Sequence, residues 1–359
     1  MNSDEQKQRV LPAANLAAMT ETDHEWDVFA QLRSVKELKT KAGKPFLAVE
    51  LADLHGSLEA KVWDEAKAAM QSALAAPIGA AVKLRGTLTS YQGKQQFTIK
   101  QLRVVDPANA PEGFDPDQLF DPAMRAVEDL VCRTLVFDIE TVPAFERREL
   151  PPTVAEALSG YANRKDMEPG AVMGMSPFFG KVVSLAVGEG EAEDDEVSVL
   201  AVPPEGVEVT DAPKWLRLMS EADLLRAFWA LASRAETVVS FNGRGFDVPF
   251  LVTRSMIHGI PARVDLLSQR FALRPHLDLW EIVGGRGNGP SKLDVVCWAL
   301  GIESPKETMD GSMVAPAYER GEIVEIATYN RHDVRATSAV YRRVRDHVLR
   351  YRADWSGPK

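Results

Sequence analysis

The stretch LVFDIETVP, residues 135–143, constrains this chain more than any other part of it. An apolar run with several β-branched residues is typical of a strand. Side chains alternate across a strand, so Asp138 and Glu140 must lie on the same face of it. Two neighbouring carboxylates repel each other and are costly to desolvate. The stretch therefore predicts a bound cation, or a reaction that uses both acids.

Length and composition limit the number of domains and the class of protein that this chain can form. The chain has 359 residues, more than one compact core usually organises, so two domains are expected. A hydrophobic content of 45% and a charged content of 26% are typical of a soluble globular protein. The N-terminus lacks the apolar core of a secretory signal. Its two cysteines, Cys132 and Cys297, both lie in apolar sequence. Buried thiols of this kind suit a reducing compartment, so we expect a cytoplasmic protein.

The N-terminal third is rich in strand patterns. Residues 1–23 are interpreted as a polar tail, and residues 24–106 show three strands, an alanine-rich helix and two more strands that turn at Gln92 and Gly93. This order predicts an OB-fold, a small all-β barrel that commonly binds oligonucleotides. Residues 24–106 carry 12 Lys and Arg against 9 Asp and Glu, or +3, although the whole chain has a net charge of −10.

Several side chains of this predicted barrel suit single-stranded nucleic acid. Aromatic rings can stack on bases, and lysine or arginine can attract phosphates. Period-two alternation sends some of these side chains into the barrel, and the pattern does not say which. The candidates are Phe46, Lys61, Trp63, Arg85, Tyr91 and Phe97, with Lys44, Lys83 and Lys94 as further cations.

Proline, aspartate and glycine dominate residues 107–130, which are interpreted as a linker. Residues 131–359 then mix strands and helices, which predicts an α/β domain. Three strands follow in succession, RTLVFDIE, KVVSLAVGE and EVSVLAVP. A helix over residues 221–234 precedes the strand TVVSFN, and the rest is predicted to be mainly helical.

Two later segments supply further acids. Asn242 ends the strand TVVSFN, and Asp247 falls in the first turn of the next helix. Near the C-terminus, Tyr329 and Asp333 are four residues apart and share one face of a predicted helix. A site built only from oxygen ligands suits a hard divalent cation such as Mg2+ or Mn2+, and not zinc.

The three acidic segments resemble the Exo I, Exo II and Exo III motifs of the DEDD superfamily of 3'–5' exonucleases, which has a ribonuclease-H-like fold. The spacing Tyr-x-x-x-Asp at Tyr329 and Asp333 is similar to the tyrosine subclass. The histidine subclass has His five residues before the aspartate, where this chain has Thr328. His332 stands directly before Asp333 and is out of register for that role.

Other stretches, among them MSPFFGKVVSLAVG, PHLDLWEIV and SKLDVVCWALGI, resemble a bacterial family related to the exonuclease domain of family B DNA polymerases. This resemblance covers about residues 133–347. The N-terminal stretch is similar to OB domains that precede some bacterial 3'–5' exoribonucleases.

The resemblance implies hydrolysis of phosphodiesters with two divalent cations, Mg2+ or Mn2+, about 3.5–4 Å apart. Asp138 would bridge both ions. Glu140 and Asp333 would complete the site of the ion that binds the attacking water, and Asp247 would hold the other. Tyr329 would orient that water.

The resemblance also implies substrate contacts by Asn242, Thr141 and Ile139. The function it implies is a metal-dependent 3'–5' exonuclease that shortens single-stranded nucleic acid to nucleoside monophosphates, with DNA favoured over RNA. Two alternatives stay open: a 3'–5' exoribonuclease, and a strand-binding adaptor that keeps the nuclease fold without turnover. Asp278, Lys292, Asp294 and Asp310 lie in motifs of the family but receive no role.

Overall fold

The computed structural model describes residues 10–91, 94–192, 196–268, 272–284, 292–303 and 309–355. The chain divides into two compact units, Met1–Arg125 and Ala126–Lys359. Each unit has a six-stranded sheet of its own. None of the helices in the described part of the chain is long and apolar enough to cross a membrane.

The first unit is a small barrel. Its strands follow the order β1-β2-β3-β4-β6-β5, and β5 also pairs with β2, which closes the barrel. The predicted order of three strands, a helix and two strands is confirmed by β2 to β6. The turn at Gln92 and Gly93 lies outside the described residues. The elements are β1 (Val10–Pro12), β2 (Glu25–Lys39), β3 (Pro45–Ala52), β4 (Ser57–Trp63), α1 (Lys67–Ala75), β5 (Ala81–Tyr91) and β6 (Lys94–Val104).

Alternate residues of the barrel strands form its core. Leu47, Val62 and Phe97 are all fully buried there. The register shifts by one residue between Arg85 and Gly86 in β5. A side chain on Gly86 would put its Cβ 2.0 Å from the carbonyl oxygen of Thr98, so only glycine fits this close approach of β5 and β6.

Part of the N-terminal segment that the sequence predicts to be a polar tail is folded onto the barrel. β1 pairs in parallel with β2, and Leu16 and Met19 are buried in the barrel core. The backbone N–H of Leu16 donates to the carboxylate of Asp53 at 2.6 Å. The predicted polar tail, residues 1–23, therefore includes part of the folded barrel. A three-residue strand and isolated apolar residues give too little periodicity to be recognised.

The predicted linker, residues 107–130, also contributes to folded structure. Leu119 is buried with Ala81 and Val105. Phe114 packs its ring against Phe29 with the centroids 5.3 Å apart. The segment that follows β6 thus covers one end of the barrel.

The second unit is a mixed sheet with helices on it. The strand order is β10-β9-β8-β7-β11-β12; β8 runs antiparallel to β7 and β9, and the other neighbours are parallel. The predicted α/β architecture, with a mixed sheet flanked by helices, is confirmed. The elements are β7 (Thr134–Pro143), α2 (Pro152–Lys165), α3 (Pro169–Met175), β8 (Gly180–Glu189), β9 (Val197–Ala201), β10 (Leu216–Leu218), α4 (Glu221–Arg234), β11 (Thr237–Ser240), α5 (Asp247–Ile257), β12 (His276–Asp278), α6 (Leu279–Val283), α7 (Leu293–Leu300), α8 (Val314–Glu319) and α9 (Ile323–His347).

Helix α9 organises the site face of this sheet. It packs across β7, β8 and β9 and buries a long stripe that includes Ile326, Val334 and Tyr341. Because residues four apart lie on one helix face, this packing carries Tyr329 and Asp333 toward β7. The prediction that the chain after α5 is mainly helical misses β12, which pairs with β11. Three residues are too few for a strand pattern to show.

Candidate active site

The two acids of β7 face α9. Asp138 and Glu140 are partly exposed, whereas Ile139 between them is buried. Carboxylate oxygens of Asp138, Glu140 and Asp333 all lie within 4.8 Å of one another. The two predicted segments, separated by almost two hundred residues, therefore meet in space.

Asp247 reaches the same place from α5. It is the first residue of that helix and is only 4% exposed. Its Oδ1 accepts a hydrogen bond of 3.2 Å from the backbone N–H of Ile139. That N–H lies between Asp138 and Glu140 along β7, so the fourth predicted acid adjoins the other three.

Crowding of the acids changes their protonation. Burial raises the pKa of Asp138 well above its usual range, and the charges of Asp247, Asp333 and Glu140 raise it further, against a lowering hydrogen bond from Asn330. Burial also raises the pKa of Asp247 to about 7, although hydrogen bonds from backbone N–H groups oppose this. A cation placed among these oxygens would favour their ionised forms.

Tyr329 lies one helical turn before Asp333 and is 7% exposed. Burial raises the pKa of its phenol, and the neighbouring carboxylates, Asp333 first, raise it further, partly through a hydrogen bond to Asp333. The hydroxyl therefore stays protonated at neutral pH and donates toward the acids. A protonated hydroxyl beside the carboxylates can hold a water molecule in a chosen orientation.

Asn330, which sequence reasoning did not select, joins the site from α9. It is fully buried, and its Nδ2 donates to Oδ2 of Asp138 at 2.7 Å. Its Oδ1 accepts a hydrogen bond of 2.8 Å from the hydroxyl of Ser184 on β8. One signal was available in the sequence: asparagine is unfavourable inside a helix unless its amide has partners.

Asn242 lies in the loop that leads to Asp247. Its backbone is left-handed, with φ 61°, and its N–H donates to Oδ1 of Asp278 at 2.8 Å. The carboxylate of Asp278 also accepts from the N–H groups of Arg244 and Trp280, each at 3.0 Å. Asp278, which received no role from the sequence, thus holds the loop that presents both Asn242 and Asp247.

The other two predicted substrate contacts are placed differently. The side chain of Ile139 is 4% exposed, and alternation turns it away from the carboxylates. The hydroxyl of Thr141 donates to the carbonyl of Gly174 on α3 at 2.8 Å. Both residues border the acids, but the structure engages Ile139 in the core and Thr141 with α3.

The structure places the barrel candidates in different surroundings. The rings of Phe46 and Trp63 lie 5.3 Å apart, with Nζ of Lys61 5.6 Å and 5.4 Å from their centroids. All three are partly exposed. Phe97, in contrast, is fully buried, so its placement on a stacking surface is wrong. Arg85 makes a bidentate ion pair with Asp27.

Tyr91, the last residue of β5, pairs with Lys94, the first residue of β6, but their side chains are outside the part of the chain that the structure describes. The nucleic-acid candidates that the structure brings together are thus Phe46, Lys61 and Trp63. A tilted pair of rings with a lysine over them, on partly exposed strands, can accept a base and a phosphate.

Comparison with known proteins supports the exonuclease-like architecture of the second unit. Residues 178–351 match a family described as a predicted 3'–5' exonuclease related to the exonuclease domain of PolB. The predicted resemblance to a family related to the exonuclease domain of family B DNA polymerases is thereby confirmed over these residues.

Solved structures to which this chain is similar include the family B DNA polymerase of the hyperthermophilic archaeon Pyrobaculum calidifontis, at 15% identity and a TM-score of 0.42. That match covers 88% of this chain and 46% of the polymerase, so this chain spans less than half the length of the polymerase. The second OB-fold domain of replication protein A from Methanococcus maripaludis matches 28% of this chain over 100% of its own length, at 13% identity and a TM-score of 0.22. A mitochondrial single-stranded DNA binding protein of S. cerevisiae matches 24% of this chain over 98% of its own length, at 11% identity and a TM-score of 0.20.

The donor set fits a hard divalent cation. Its candidate ligands are carboxylate oxygens of Asp138, Glu140 and Asp333, with Asp247 beside them. Oxygen-only sites of this kind suit Mg2+ or Mn2+. The raised pKa values of Asp138 and Asp247 describe acids whose ionised forms a cation would stabilise.

Proposed function

We propose that this protein is a metal-dependent 3'–5' exonuclease that shortens single-stranded nucleic acid to nucleoside monophosphates, with DNA favoured over RNA. One observation carries the proposal: three carboxylates from β7 and α9 lie within 4.8 Å of one another, and Asp247 adjoins them through its hydrogen bond to Ile139. The match of residues 178–351 to a predicted exonuclease family supports it.

In this proposal, two divalent cations would polarise the scissile phosphate and lower the pKa of the attacking water. Asp138, between the other acids, would serve both cations. Glu140 and Asp333 would hold the one nearer to Tyr329, and Asp247 would hold the second. The protonated Tyr329 hydroxyl would hold the water in line with the phosphorus.

The reaction is a hydrolysis. A new bond forms between the water oxygen and the phosphorus of the terminal nucleotide, and the bond from that phosphorus to the O3' of the preceding nucleotide breaks. The released oxygen takes up a proton, so the shortened strand again ends in a 3'-hydroxyl. Asn242, held at a left-handed position by Asp278, would contact the terminal nucleotide.

The barrel would bind the strand. Stacking of bases on Phe46 and Trp63 and attraction of phosphate to Lys61 suit single strands of any sequence. We expect Trp63→Ala to weaken binding of an oligonucleotide by about 1–3 kcal/mol, the typical loss of one stacking contact. Binding of Mn2+ to the same variant should match the wild type.

The direct test uses matched 5'-labelled single-stranded DNA and RNA, incubated with Mg2+, Mn2+ or EDTA. Wild-type protein and Asp138→Ala are compared, with Asp223→Ala as a control because Asp223 is an exposed acid that pairs with Arg226. Stepwise shortening that needs metal and Asp138, but not Asp223, supports the proposal. If RNA is shortened faster than DNA, RNA is the preferred substrate and the preference for DNA is wrong.

The adaptor alternative predicts another result. The pair of rings with Lys61 could bind a strand without any hydrolysis. If both polymers bind but neither is shortened in either metal, the exonuclease proposal fails and the adaptor remains.

A further inference from the structure

A short chain of hydrogen bonds crosses the site behind Asp138. The hydroxyl of Ser184 on β8 donates to Oδ1 of Asn330 at 2.8 Å, and Nδ2 of Asn330 donates to Oδ2 of Asp138 at 2.7 Å. The three residues come from β8, α9 and β7. Ser184 and Asn330 are both fully buried, so the bond between them lies away from bulk water, whereas the bond to Asp138 is partly buried.

The chain of bonds fixes the orientation of each member. An amide has distinct donor and acceptor ends, and the hydroxyl of Ser184 occupies the acceptor end of Asn330. The donor end is then directed at Asp138. A carboxylate that receives this bond on Oδ2 keeps Oδ1 and the remaining lone pair of Oδ2 for other partners.

Asp138 needs such support more than an isolated acid would. One of its carboxylate oxygens lies within 4.8 Å of carboxylate oxygens of Glu140 and Asp333, and negative charges this close repel each other. The amide of Asn330 is a neutral donor that contacts Oδ2 of Asp138. A lysine or arginine in place of Asn330 would favour the carboxylate too, but its positive charge would repel a divalent cation. A neutral amide orients the acid without adding that charge.

We propose that Asn330, held by Ser184, is a positioning residue that keeps Asp138 ready to bind the divalent cation. This inference rests on the proposed function, because it assigns the cation to the same acids. Groups that orient a metal ligand typically change metal affinity by 10- to 100-fold when they are removed. Asn330 acts through Asp138 and needs no contact with the substrate.

The test is a calorimetric titration of the metal-free full-length protein with Mn2+, beside thermal unfolding of the same samples. The variants are Asn330→Ala and Ser184→Ala. The control is Ser255→Ala, because Ser255 is also fully buried and its hydroxyl also forms a 2.8 Å bond to a side chain, the indole of Trp229.

We expect Asn330→Ala to weaken Mn2+ binding about 10- to 100-fold. Ser184→Ala should weaken it less, because the amide remains. Ser255→Ala should lower the melting temperature and leave Mn2+ affinity unchanged. In strand shortening, Asn330→Ala should lose kcat at low Mn2+ and recover it at high Mn2+, with KM for the strand unchanged.

Two results overturn the inference, and they can be told apart. If wild type and Asn330→Ala bind Mn2+ equally while the variant melts earlier, Asn330 is only structural and the proposed function stands. If the wild type itself binds no Mn2+, the metal-dependent function fails and the positioning role fails with it.

Discussion

The second unit has buried acids in two places, and their pKa values are shifted in opposite directions. Glu221, the first residue of α4, is 8% exposed. It accepts hydrogen bonds from the guanidinium of Arg254 at 2.9 and 2.7 Å, and lies 2.9 Å from Nε2 of His258. Burial raises its pKa, but the bonds from Arg254, the N–H of Val182 and His258 outweigh burial and lower the pKa.

The acids of the candidate active site show the reverse. At Asp138 and Asp247, burial and neighbouring acids prevail, and both pKa values are raised. Glu221 on α4 has the guanidinium of Arg254 on α5 as its cation. At β7, in contrast, Asp138 has other acids as its neighbours. A protein can tolerate that second arrangement where an external cation completes it.

The largest effect is expected when one acid of the candidate active site is neutralised. Asp138→Asn keeps the shape of the side chain and removes its charge. We expect hydrolysis of a labelled strand to fall by about 10³-fold or more, because the cations of the site are worth several kcal/mol to the transition state. Initial rates in saturating Mn2+ measure the effect. Activity within tenfold of the wild type would refute the role of Asp138.

Neutralising Glu221 should lower the stability of the fold instead of the activity. Glu221→Gln leaves the guanidinium of Arg254, whose side chain is 7% exposed, without its carboxylate. Removal of one partner from a buried pair typically costs about 3–5 kcal/mol. Urea unfolding at pH 7 gives the free energy, with the exposed pair Asp223 and Arg226 as control, where Asp223→Asn should cost less than about 1 kcal/mol.

The pH dependence of Glu221→Gln has a definite sign. A carboxyl with a lowered pKa stabilises the fold above its unfolded value and loses that contribution as pH falls through the folded value. The gap in unfolding free energy between wild type and Glu221→Gln should therefore narrow below pH 4.5, the ordinary value for glutamate. A gap that is constant down to pH 3 would contradict the ion pair.

His276 is a buried base of the same unit, and burial shifts its pKa as well. Its Nδ1 lies 3.0 Å from the carbonyl of Leu266, so that nitrogen carries the proton, and Nε2 accepts from the hydroxyl of Ser240 at 2.7 Å. Burial lowers the pKa of His276 to about 4, against the bond to Leu266.

A histidine with a lowered pKa stabilises the fold above its unfolded value and loses that contribution as pH falls. For His276 the loss runs from pH 6.5 down to about 4 and amounts to about 3 kcal/mol. His276→Asn should lack this part of the pH dependence, which urea unfolding at several pH values measures. Parallel pH profiles for the two proteins would show that His276 is not buried in its neutral form.

Local periodicity accounts for the parts of the site that could be predicted. Alternation along a strand is enough to put Asp138 and Glu140 on one face, and a spacing of four is enough to align Tyr329 with Asp333. A motif order shared with a known family adds Asp247. None of these inferences needs knowledge of how the elements pack.

The features that the sequence did not predict depend on how distant elements pack together. The bond from Asn330 to Asp138 joins residues far apart in the sequence. The bonds from Asn242 and Arg244 to Asp278 likewise depend on β12 lying beside β11. In the barrel, alternation separates two faces but does not tell which is inside. Phe97 therefore seemed as suitable for stacking as Trp63, and only the closed barrel distinguishes them.

The central claim is that an external cation offsets the repulsion among the acids of β7, α5 and α9. The most direct test is urea unfolding of wild type and Asp138→Asn, each in EDTA and in Mn2+ at about 100 times its Kd. In EDTA we expect Asp138→Asn to be the more stable protein, because it lacks one crowded carboxyl. Mn2+ should add about 2.7 kcal/mol to the wild type and much less to the variant, so the order reverses. If Asp138→Asn is less stable in EDTA, or if Mn2+ stabilises both equally, the acids do not form a cation site.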